Sequence, residues 1–481
     1  MRDSLTITIP AALAALAGAA ALAWWLERDP MSGIVARLPG ADGAGFSRVT
    51  DVPVTIGEFS RNFGGSPAKS GGDWPGFRGP DSTNVAPAAI RLAGRWNEKD
   101  PPVLWSVSLG EGHAGPAVWQ GRVFVLDYDE ANQRDILRCL SLADGKELWQ
   151  RGYRVHIKRN HGRSRTVPAV AEGFVVTIGP RGHVMAVDPV TGDYLWGKDL
   201  VREFGTKIPE WYAGQCPLID GKDVVLAPAG KDVLLMGVDG RTGIINWKTP
   251  NPRGWPMSHA SVMPMTMNGK KSHIYCAIGG VAGISAEPGD KGALLWETDA
   301  WKPSVEVPSP VPLGDGRILV TAGYGVGSAL LQITEDGGKF SVRVIQSWKS
   351  GDGFSSEQQT PVFYKGHLYA VLPKDAGPFK GQFVCAAPDD GRKFAWTSGK
   401  DKRFGLGPYL VADGKLFVLD ETGVIVMVKA SPEGYTELGR AKVLDGPDAW
   451  GPMALSGTRL ILRDTRRMIC VDVGENPEKT P

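Results

Sequence analysis

The apolar positions of this chain fall in short runs separated by turn residues, and one stretch shows the unit. In TVPAVAEGFVVTIGPRGHVMAVDPVTGDYLW, Thr166 to Trp196, the pattern predicts a first strand over Val167 to Val170 and a turn at Glu172-Gly173. A second strand follows over Phe174 to Ile178, a turn over Pro180 to Gly182, and a third strand over His183 to Val187. In DPVTG, Asp188 is placed to bond the backbone ahead of it and Gly192 to supply a positive φ. The fourth strand ends on Trp196. The same turn recurs in LADGKELW, VDGRTGIINW and APDDGRKFAW.

Two markers repeat along the chain. A tryptophan closing an apolar strand stands at Trp105, Trp149, Trp196, Trp247, Trp296, Trp348 and Trp396. A turn glycine between two short strands stands at Gly121, Gly173, Gly221, Gly269, Gly316, Gly366, Gly414 and Gly457. Both recur about every 48 residues, the period of a β-propeller blade. The tryptophan reads as a wedge between adjacent sheets, since one blade cannot bury both faces alone. Eight glycines mean eight blades. The last unit, Trp450 to Val473, holds only three strands, while Pro101 to Leu109 carries a fourth-type strand with nothing before it. The expected fold is therefore all-β: an eight-bladed β-propeller of four-stranded antiparallel blades over residues 73–473, its ring closed by an N-terminal strand joining the C-terminal blade. Closure leaves no long exposed edge.

Outside the propeller, residues 5–26 carry no charge, and Ile9 to Leu26 alone spans about 27 Å as a helix. Trp24 and Trp25 at its far end fit an uncleaved membrane anchor, and Ala21-Leu22-Ala23 fits a signal peptide cleaved after Ala23. Both readings of residues 1–30 export the rest to a periplasmic or other extracytoplasmic space. Residues 31–72, rich in Gly, Ala, Ser and Pro, read as a flexible linker, and residues 474–481 as a tail.

Composition narrows the function. Lys+Arg 54 against Asp+Glu 52 leaves +2, so no basic field gathers nucleic acid. Cys139, Cys216, Cys276, Cys385 and Cys470 stand singly, which excludes haem-attachment, zinc-ribbon and thioredoxin motifs and leaves small buried hydrophobes. There is no nucleophile elbow, zincin helix or P-loop.

The VDPVTGDYLW type of repeat, the eight units and the leading DWPGFRGP resemble the pyrroloquinoline-quinone-like (quinoprotein alcohol dehydrogenase-like) β-propeller proteins. That superfamily contains calcium- and quinone-dependent dehydrogenases and non-enzymatic propellers such as the outer-membrane assembly subunit BamB. The resemblance implies, for an alcohol-oxidising member, a vicinal disulfide over the cofactor and a calcium held by Glu, Asn and Asp. This chain has no Cys-Cys pair, so no cofactor is expected, pyrroloquinoline quinone and calcium being the alternative. No catalytic residue or metal ligand is carried over.

Loop lengths locate the candidate site. The turns between first and second strands, and between third and fourth, are tight and share one end of each blade. The other end carries long, varied loops, where recognition concentrates on a rigid scaffold. There the funnel mouth is expected to gather His113, Arg163, Arg165, Trp211, Tyr212, Gln215, His259, Gln359, Phe404 and Trp450. The run RGYRVHIKRNHGRSR, Arg151 to Arg165, adds positive charge for an anionic partner, or is a solvated rim. The expected function is a non-catalytic binding or scaffold propeller of the cell envelope, monomeric, presenting this face to an envelope protein or polymer. The alternatives are a pyrroloquinoline quinone- and calcium-dependent oxidoreductase, and a glycan-binding or glycan-active propeller.

Overall fold

The computed structural model describes residues 3–27, 53–69, 71–96 and 100–475. It divides into two units, Met1–Pro53 and Val54–Pro481. In the first, a helix runs Asp3–Glu27, and its side chains from 13 to 25 are exposed. Among the described residues no helix is long and apolar enough to cross a membrane.

The second unit is the eight-bladed propeller. Seven blades follow the predicted order, each a four-stranded antiparallel sheet built from consecutive strands, as in Ala169–Ala171, Phe174–Ile178, His183–Val187 and Tyr194–Asp199. In the eighth, Ala454–Ser456, Arg459–Arg463 and Arg467–Asp472 take Val103–Ser108 as their outermost strand, with Trp105 opposite Cys470. All eight marker glycines have positive φ, from 58° at Gly457 to 84° at Gly173. These turns require it, and glycine adopts it without a Cβ clash.

The linker expected over residues 31–72 holds only in part. Residues 31–52 lie outside the described residues, but from Val54 the chain belongs to the propeller unit. Phe59–Asn62 adds a fifth strand to the first blade, pairing with Glu147–Arg154. The reason is local: Val54 and Ile56 pack into the core beside Trp149, and Arg134 covers the Phe59 ring at 4.3 Å.

The repeat tryptophans work as wedges, and the structure shows on what. Five of the seven, Trp105, Trp149, Trp196, Trp247 and Trp348, lie against the third-to-fourth-strand turn of the next blade, at a glycine. A Cβ on Gly145 would stand 2.9 Å from the Trp105 ring, on Gly192 2.6 Å from Trp149, on Gly243 2.7 Å from Trp196 and on Gly292 2.7 Å from Trp247. Several indoles also donate across the seam, Trp105 to Leu142 O at 3.0 Å, Trp196 to Gly240 O at 2.9 Å and Trp396 to Ser431 O at 2.8 Å. The five cysteines are all free and buried.

Substituting Gly192→Ala forces both a strained φ and an overpacked indole seam, and is expected to cost roughly 2–5 kcal/mol. Gly366→Ala has a similar φ of 77° but nothing within 4 Å of the new Cβ, so about 1 kcal/mol is expected. Thermal melts of the two variants against the parent check the difference.

Candidate functional site

The innermost strands begin around the central channel, and side chains just ahead of them build its rim. A belt of hydrogen bonds fixes their places. Val167 N donates to Cys216 Sγ at 3.2 Å, Cys216 N to Ser261 Oγ at 3.0 Å, Ser261 N to Ser309 Oγ at 2.9 Å and Ser309 N to Thr360 Oγ1 at 2.9 Å. Each bond ties a backbone amide of one blade to a small side chain of the next. Buried amides require such partners.

One end of the channel is crossed by the segment DWPGFRGPDSTNVA. Trp74 exchanges two 2.8 Å backbone bonds with Val118 of the first blade, and Val170 N of the second donates to Pro75 O at 2.8 Å. The buried Arg78 guanidinium donates to Thr360 O at 2.8 Å and Pro361 O at 2.9 Å beside the sixth blade. Ala86 N donates to Val411 O at 2.7 Å in the seventh. The segment thus spans the ring, and its Phe77 forms part of the wall of the cavity that remains.

That cavity has a volume of about 420 Å³ and opens toward the long loops. Six of the residues expected at the mouth line it: His113, Arg165, Trp211, His259, Gln359 and Trp450. His113 stacks on Trp450 with ring centres 5.1 Å apart, and its Nε2 meets His161 O at 3.1 Å. Trp211 stacks on Tyr324 at 6.0 Å and 14°, and lies 6.0 Å from the His259 ring. Gln359 donates to Leu406 O at 3.1 Å and Trp450 O at 2.9 Å, bridging to the last two blades.

The other four expected residues sit outside the lining. Arg163 is buried in an ion pair with Glu130 at 2.7 Å and lies over the Tyr128 ring. Tyr212, at φ 72°, donates its hydroxyl to Lys158 O at 2.6 Å. Gln215 is fully buried, its amide bonded to both Ala227 N and Ala227 O. Phe404 packs edge-on against Phe383. Polar residues ahead of an inner strand point either into the channel or back into their own loop, and spacing alone does not separate the two.

The sequence reading missed Phe77, Tyr324, Glu357 and Lys374. Tyr324 and Lys374 sit on second-to-third-strand loops that reach over the mouth, and loop reach is not encoded in the repeat. Phe77 had a signal, an aromatic framed by Pro and Gly ahead of the first blade.

Three of the six cations in the basic run, Arg151, Arg159 and Arg163, face a carboxylate. Arg151 faces Asp193 at 3.7 Å, and Arg159 faces Glu111 at 2.8 Å, as does Arg466 at 3.0 Å. The Arg159 hydrogen bond draws Glu111 below its usual pKa. Burial lowers His113 to about 3 and His259 to about 4, with the Arg165 charge adding to both, so these rings are neutral near pH 7.

A calcium-held quinone finds a poor fit. Calcium takes six to eight oxygen ligands. Glu357 is the one carboxylate in the lining, and its Oε2 accepts from Lys374 N at 3.1 Å. Among the described residues no group of three or more His, Cys, Asp or Glu is placed to hold a metal ion. Cys216 at the wall is single and engaged by Val167 N.

Comparison with known proteins agrees with this architecture. The family model described as outer membrane protein assembly factor BamB matches residues 132–398, more than half of the chain. No curated protein matches it in sequence. Among solved structures it is similar to BamB from Moraxella catarrhalis, at 13% identity over 77% of this chain and 100% of that one, with TM-score 0.50. It is similar also to a europium-containing methanol dehydrogenase, at 13% identity over 82% and 90%, with TM-score 0.57. A quinohemoprotein alcohol dehydrogenase from Comamonas testosteroni gives 13% identity over 85% and 81%, and TM-score 0.57. At such identities the likeness shows the fold alone.

The depressed histidines carry a pH prediction. A histidine whose folded pKa lies below its unfolded value of about 6.5 contributes stability above that value, and the contribution is lost as pH falls. Asp135, buried and raised to about 7, has the opposite sign: its contribution is lost as pH rises from about 4 toward 7. His113→Gln is therefore expected to lower the slope of stability against pH by about 1.4 kcal/mol per unit between about pH 4 and 6. Denaturant melts across that range check it.

Proposed function

The chain belongs to the family of outer membrane protein assembly factor BamB, and from that premise we propose that it is a non-catalytic scaffold of the cell envelope whose long-loop face binds a protein partner. One observation carries the reading: the channel is an aromatic-walled cavity, crossed at its far end by the DWPGFRGP segment and served by a single carboxylate. Such a mouth holds a projecting side chain and offers no acid–base pair, whereas hydrolysis of a glycan calls for two carboxylates about 5–9.5 Å apart. The dehydrogenase reading has the fold in its favour but lacks an oxygen-rich metal cradle.

The same reading places the propeller outside the cytoplasm, held near a membrane by residues 5–26 or released by cleavage after Ala23. The family's assembly role, carried over to this chain, makes the partner an envelope protein engaged in outer-membrane protein assembly.

A photo-crosslinking residue at His161 on the long-loop face is expected to give a discrete protein adduct in envelope preparations, and one at Lys365 in the opposite turns none. Equal labelling from both faces overturns the assignment. Saturable binding of pyrroloquinoline quinone plus calcium, with dye-linked alcohol oxidation, makes the protein an oxidoreductase instead.

A further inference from the structure

Arg165 differs from three other arginines of its own segment in what it faces. Arg151, Arg159 and Arg163 each face a carboxylate. Arg165 faces none within ion-pair distance among the described residues. Its Nε donates to Trp211 O at 2.5 Å, and its Nη2 to Asn160 O at 2.6 Å and His161 O at 2.9 Å, all neutral carbonyls. Nη1 makes no hydrogen bond among the described residues, so two of the five guanidinium donors remain unused on a side chain that lines the cavity. A cation withdrawn from water without an anion is costly, and a bound carboxylate removes that cost.

The rest of the mouth points the same way. Lys374 Nζ lies 5.5 Å from the Trp450 ring centre and has no carboxylate within ion-pair distance among the described residues. Against these two cations stands Glu357, already accepting from a backbone amide. With the lining histidines His113 and His259 neutral, positive charge is in excess. Two aromatic walls, His113–Trp450 and Trp211–Tyr324, offer planar apolar faces beside it. The volume of about 420 Å³ has room for one or two side chains, not a folded body.

We propose that the cavity receives an acidic side chain, flanked by an aromatic one, from an extended segment of a partner polypeptide, with Arg165 as its anchor and Lys374 as a second cation. The choice of a polypeptide over a free organic acid rests on the protein-binding reading above. A long side chain reaches the guanidinium while its neighbours stack on the walls. The exposed Tyr324 and Lys374 continue the contact onto the rim.

The test uses the full chain and capped, fluorescein-labelled pentapeptides, Gly-Phe-Glu-Phe-Gly and its Gln counterpart, followed by anisotropy. The Glu peptide is expected to bind about tenfold tighter than the Gln peptide, and to weaken as salt rises from about 50 to about 300 mM. Arg165→Gln is expected to weaken the Glu peptide about tenfold and leave the Gln peptide unchanged. Because Arg165 also holds rim carbonyls, Lys374→Gln serves as the second variant, with about a threefold loss confined to the Glu peptide. Equal affinity for both peptides, or no binding of either, overturns the proposal. So does Glu-peptide affinity that neither variant changes. Full competition by glutarate at equal concentration overturns the polypeptide source and leaves a small-acid site. Cross-links from His161 with no peptide selectivity keep the scaffold reading and discard this one. Selectivity without cross-links does the reverse.

Discussion

Five seams of the ring are closed by one contact: the flat face of an indole on a stretch of backbone that has no side chain. Trp149 on Gly192 and Trp196 on Gly243 are instances, and the same pair joins the last blade to the first as Trp105 on Gly145. A buried tryptophan removes about 200 Å² from water, worth several kcal/mol at about 25 cal/mol per Å². Such a seam is worth that much only where the ring sits flat on the turn. A β-carbon would lift it, and the blades would splay. The turn also needs a positive φ, so glycine answers two demands with one residue.

The hydrogen-bond belt around the channel depends on the same spacing. A serine, threonine or cysteine side chain is short enough to reach the amide of one neighbouring blade and no further. With the seams set, Cys216, Ser261, Ser309 and Thr360 fall in step, and the residues beside them are held at the cavity wall. Recognition is thereby divided from support: the belt fixes where the rim lies, and the loops above it are free to vary. Trp211 and Tyr324 show the result, two side chains from distant loops stacked across the mouth.

The ring was legible from sequence because its constraint repeats. A tryptophan and a glycine at a fixed period reveal the blade, the count, and the lone strand over Val103–Ser108 that the last blade needs. The site was legible only in part. His113, Arg165 and Trp450 reach the cavity because they precede inner strands, but Gln215 has the same place in the repeat and turns inward to pair with Ala227. That difference lies in the direction of the side chain, which periodicity does not report. Phe59–Asn62 was hidden for another reason: a single added strand has no partner unit to compare with, and its surroundings are rich in glycine. The DWPGFRGP motif at the start of the segment from Trp74 to Ala86 carries the family resemblance, but the segment's course across the ring depends on bonds to blades far away in sequence.

The pairing of Val103–Ser108 with Arg467–Asp472 has a consequence in time. As a ribosome delivers the chain, seven blades emerge with all their strands, one after another, and each can condense on its predecessor. The strand that completes the eighth appears before any blade is complete and waits, unpaired, through the synthesis of every other blade. Until the final hairpin arrives, the growing arc exposes a raw strand at one end and a bare sheet at the other, the two surfaces most prone to find the wrong neighbour. Ring formation is therefore a terminal event with high contact order, slow beside the local hairpins.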